Sequence, residues 1–159
     1  MNTDALVRKT GAFAVLQKIS ENMGRDFAPF VDPLLPIIST HMAYGYSKAI
    51  RKLSLKTFCS MLVAVGEPRN VELFQQSMPM YVEELTKALS RHDDKTAKIM
   101  IKSLANNLRA LGRSNDTPRQ FLTQDQINAL GPLMKQTLDI VTGLKAAHTT
   151  FLQNQKANY

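Results

Sequence analysis

The sequence predicts an all-α chain built by stacking helix pairs, on three observations. An apolar pattern with helical spacing recurs 46 residues along the chain. A proline inside an apolar run, Pro33, recurs at the same interval as Pro79. Strand signals, meaning β-branched alternation bounded by Asn-Gly or Asp-Gly turns, are missing. Two markers sharing one period are the signature of a helical-repeat architecture, in which each unit buries its apolar face only against its neighbours.

The repeat is clearest when IRKLSLKTFCSMLVAVG (residues 50–66) is laid over TAKIMIKSLANNLRALG (residues 96–112). Leu53 then faces Ile99, Phe58 faces Leu104, Leu62 faces Leu108, and both segments end in glycine. A glycine there suits a helix end that turns with positive φ. An earlier copy, VRKTGAFAVLQKISENMG (residues 7–24), aligns by its own terminal glycine. Each unit therefore reads as a helix A that carries the proline and a helix B that ends in glycine.

In chain order, the first B helix is expected over residues 4–24, an A/B pair over 29–66 and a second pair over 71–112. A loop over 113–123 leads to an A helix over 124–145 and a C-terminal helical tail. Residues 1–159 form a single such segment, reading as a piece of a longer array. Asp4 and Ser47 stand where N-cap oxygens take up free amide hydrogens. Thr123 with Gln126 makes a capping-box pattern. The prolines Pro33, Pro79 and Pro132 either open their helices at the first position or bend them. Arg113–Arg119 (RSNDTPR) widens the interval from Pro79 to Pro132 to 53 residues; such an insertion is a spacer or a binding loop at one edge of the stack.

Composition sets the outer limits. Of 159 residues, 44% are apolar and 21% charged, as in folded domains. No apolar run reaches the roughly 20 residues of a membrane span, so no insertion is expected. A single cysteine, Cys59, cannot form an internal disulfide, which points to a reducing compartment. The net charge of +7 allows an acidic protein or nucleic acid as partner. Tryptophan is absent and aromatics do not interleave with the basic residues, so nucleic acid is not the expected one.

No constellation for catalysis, cofactor or metal emerges. His41, His92 and His148 lie about fifty residues apart, without carboxylates or thiols at ligand spacing. Cys59 has no histidine beside it and reads as a partly exposed thiol. The methionines, Met61, Met100 and Met134 among them, sit at apolar helix positions and read as core filling. The one patterned polar feature is basic. At 100° per residue, Lys52 and Lys56 fall opposite Ile50, Phe58, Met61 and Leu62. The 46-residue shift carries them onto Lys98 and Lys102, and Arg109 extends the strip. This strip is either a solvated face or a surface for an acidic partner.

A period near 46, an A helix with proline, and a B helix opening Asp/Ser-x-x-Val/Ile-Arg resemble the HEAT repeat. The resemblance implies an α-α superhelix (armadillo-like solenoid) in which Asp and Arg of successive B helices form a ladder. Asp4 with Arg8 fits it fully, and Ser47 with Arg51 keeps the arginine. In the third copy Asp93 is kept and Ala97 replaces the arginine. GRDFAPFVDPLLPIIST, KAIRKLSLKTFCSMLVAVG and FLTQDQINALGPLMKQTLDIV resemble the karyopherin-β nuclear transport receptors, in particular the middle region of the importin-5 (importin-β3) type. That resemblance implies a non-catalytic scaffold in cytoplasm and nucleus that takes protein cargo and, through the full-length receptor, the GTPase Ran. Karyopherins are usually acidic, which suits basic cargo signals, and this chain departs from that. The alternative is a HEAT scaffold subunit of a phosphatase, condensin or translation-regulating assembly.

Overall fold

A computed structural model describes residues 3–114 and 121–157. Every regular element among them is helical: α1 (Thr3–Met23), a 3-10 helix (Gly24–Phe30), α2 (Val31–Met42), α3 (Lys48–Val65), α4 (Arg69–Ser90), α5 (Asp94–Ser114) and α6 (Gln124–Ala157). The expected B helices are α1, α3 and α5; the expected A helices are α2, α4 and α6. Residues 115–120, most of the RSNDTPR insertion, lie outside the described residues.

Local chemistry accounts for most boundaries. Ser47 is extended and its hydroxyl accepts the amide hydrogen of Ile50, capping α3 as expected. Thr123 and Gln126 form the reciprocal capping box: Thr123 N–H donates to the Gln126 side chain at 2.9 Å, and Gln126 N–H donates to the Thr123 hydroxyl at 3.2 Å. Gly24 (φ +54°) and Gly66 (φ +63°) occupy the left-handed region that ends α1 and α3.

Two expectations about helix ends are corrected. Asp4 is the second residue of α1 rather than its cap, where its charge complements the helix N-terminus. Gly112 does not end α5, which runs on to Ser114. The turn before α5 is made by His92, at φ +53°. Its N–H bonds Leu89 O at 3.2 Å while Asp93 N–H bonds Ala88 O at 2.8 Å, the paired closure that usually selects glycine. None of the three prolines is a first-position proline. Pro33 is the third residue of α2, and Pro79 and Pro132 lie inside α4 and α6. All three are exposed, and Pro79 and Pro132, inside their helices, each leave one carbonyl without its helical donor.

The helices pack in chain order. α1 lies against α3 and α3 against α5, while α2 and the 3-10 helix cover α3, and α4 covers α3 and α5. α6 packs on α4 and α5. One apolar cluster runs from Phe13 to Leu130 through Ile38, Ile50, Phe58, Phe74, Leu85 and Met100. Met61 and Met100 are fully buried, but Met134 is 44% exposed and fills no core among the described residues.

Two polar links cross this core. Arg51 Nη2 meets the Glu84 carboxylate at 3.3 Å, tying α3 to α4, and Glu84 also takes Lys87 at 3.2 Å. Asn107 Nδ2 donates to the Tyr81 hydroxyl at 2.9 Å, and that hydroxyl shares a hydrogen bond with Ser103 Oγ at 2.7 Å in which either oxygen can donate. Burial pushes the Tyr81 phenol up, so it stays protonated within this network.

Candidate binding groove

The site is one face of α1, α3 and α5. Because α3 and α5 share a 46-residue register, residues at equal places in the two helices turn to the same side. Lys52 and Lys56 on α3 and Lys98, Lys102 and Arg109 on α5 all line one groove of about 1000 Å³. The structure thus brings together the whole basic strip expected from the sequence. It adds Arg25 from the 3-10 helix and Arg113 from the end of α5. Both follow the terminal glycine of a repeat copy, in MGRD and LGRS, and that Gly-Arg pair was the signal available in the sequence.

All seven cations are exposed at the groove's edge. Leu55, Ile99, Val63 and Ala110 contribute apolar side chains to the same lining. The lining contains a single carboxylate, Glu21. The Gln17 amide at 3.0 Å and the Lys18 ammonium at 3.3 Å, with a weaker contribution from Lys56, hold that carboxyl below its usual range. Cys59 also lines the groove, half-buried, and burial pushes its thiol up, so it is a poor source of thiolate there.

The four ladder residues are placed separately. Asp4 and Arg8 lie one turn apart on α1, both exposed. Ser47 caps α3, while Arg51 turns inward to Glu84 and to the Ala43 carbonyl at 3.4 Å. The link between adjacent B helices is made by Lys48, whose ammonium meets Asp93 at 2.8 Å. The sequence did not disclose the Arg51–Glu84 pair, because its partners belong to different helices and share no repeat position.

Among the described residues no cluster of three His, Cys, Asp or Glu side chains could hold a metal ion. His41 bonds the Ile37 carbonyl at 2.7 Å and stacks between Phe13 and Tyr44. The side chain of His148 lies outside the described residues. No helix among the described residues is long and apolar enough to cross a membrane. Comparison with protein-family models, curated proteins and solved structures gave no match.

Proposed function

We propose that this chain is a non-catalytic, protein-binding scaffold, a HEAT-type solenoid segment of an importin-β family receptor that carries protein cargo into the nucleus under Ran control. The observation that carries the scaffold reading is the order of contacts: α1, α3 and α5 touch in succession and share one groove, while α2 and α4 back them. Such an arrangement presents a long surface from equivalent positions of neighbouring units, which is how stacked repeats bind partners. Exposed apolar side chains on α1 (Val7, Val15, Ile19) and on α6 (Ile127, Met134, Leu138) support stacking against further helices at both outer faces.

The import reading rests on the resemblance of three sequence stretches. It is tested with the full-length receptor and Ran loaded with GTP or GDP. GTP-loaded Ran should bind the receptor and release its cargo, and a receptor indifferent to GTP-loaded Ran would remove the import reading while leaving the scaffold. The basic groove favours a second reading, because a receptor face for basic cargo signals would be acidic. In that reading the same scaffold serves a phosphatase, condensin or translation-regulating assembly, and Ran has no effect.

A further inference from the structure

We infer that the α1–α3–α5 groove binds an acidic protein segment whose carboxylates are separated by apolar side chains. The inference deepens the scaffold reading above and rests on it in taking the partner to be a protein. Seven cations face one carboxylate across the groove. Lys48 pairs with Asp93, Arg51 with Glu84 and Arg69 with Asp32, and all three cations lie outside the groove. Lys52 with Lys56, and Lys98 with Lys102, stand one helical turn apart on adjacent helices, so like charges form two pairs, and Glu21 is the one carboxylate of the lining. Their mutual repulsion raises the local potential, and an anionic partner relieves it.

Two features select a peptide over a nucleic acid. The lining contains no aromatic side chain, so bases would find no stacking platform. Val63, 39% exposed, lines the groove with Ile99 and Ala110 and offers contact to aliphatic side chains. A segment alternating acidic with apolar residues satisfies both the rim and the floor.

The test titrates the full chain with a fluorescein-labelled peptide that alternates glutamate with leucine and alanine. Saturable binding is expected, strong at low salt and weakened at high salt. The same peptide with glutamine for glutamate should not bind. Lys56→Glu with Lys102→Glu should weaken binding about tenfold or more. Arg91→Glu with Lys135→Glu, the same charge change away from the groove, should leave it unchanged. If Lys56→Glu with Lys102→Glu melts early, Lys56→Gln with Lys102→Gln replaces it, with a smaller loss expected. Absence of saturable binding at low salt, equal loss in the two reversed pairs, or tighter binding of single-stranded RNA would each overturn the inference. Ran plays no part in this titration. Peptide binding beside Ran indifference therefore sinks the import reading alone, and a Ran response beside a silent groove sinks this inference alone.

Discussion

Asp93 joins three tasks at the start of α5. One carboxylate oxygen accepts the Lys48 ammonium at 2.8 Å and the Thr96 amide hydrogen at 3.1 Å. The other accepts the Thr96 hydroxyl at 2.6 Å, and the backbone carbonyl takes the Ala97 N–H at 3.0 Å. The Lys48 ammonium first, and then the Thr96 hydroxyl, hold the carboxyl down from its ordinary 3.8 to about 2. A carboxyl more acidic in the folded chain contributes stability above its unfolded value and loses it as the pH falls from about 4 to about 2. With side chains 37% and 47% exposed, Asp93 and Lys48 are screened, and the contribution is modest. Asp93→Asn keeps a good cap and removes only the charge. Its melting temperature should lie slightly below that of the parent at neutral pH, and the two should converge near pH 2. A constant gap across that range would show that the charge contributes nothing. The capping role was legible in the repeat alignment, whereas the pairing with Lys48 required α3 and α5 to lie side by side.

Between helices, the buried Arg51–Glu84 pair is asymmetric. Arg51 has Glu84 and a long bond to the Ala43 carbonyl, and its Nε lacks a partner among the described residues. Glu84 keeps Lys87 when Arg51 is removed. Removing one partner of a buried pair is costly because the other charge stays behind. Glu84→Met should therefore destabilise by about 3–5 kcal/mol, and Arg51→Met by clearly less, as read from urea denaturation. Equal losses would mean that Lys87 does not compensate. Which apolar positions each helix buries was readable from its 3.6-residue spacing: Ile50, Phe58, Met61 and Leu62 are all buried as expected. Met134 was not, since periodicity shows that a face is apolar and leaves open whether a neighbour covers it.

Across the whole molecule, α3 is the hub, touching α1, the 3-10 helix, α2, α4 and α5. A cavity there reaches several interfaces at once. Leu62, fully buried, and Met134, 44% exposed on α6, make the contrast. Leu62→Ala should cost about 2–5 kcal/mol, while Met134→Ala should stay within about 0.5 kcal/mol. Chemical denaturation followed by helical circular dichroism measures both, and a small effect at Leu62 would show that α3 is not central to stability.

The sequence by itself determined the helices, most of their ends and the basic strip. Capping groups, positive-φ glycines and apolar spacing act over one or two turns, and the 46-residue shift places Lys52 and Lys56 on the same helix face as Lys98 and Lys102. Tertiary structure decided what stands next to what. It closed the strip into a groove by bringing Arg25 and Glu21 across from the first repeat copy, turned Arg51 inward to Glu84, and joined Lys48 to Asp93. The partners of Arg51 and Lys48 lie on different helices and at no shared repeat position, so only the packing of α3, α4 and α5 could select them.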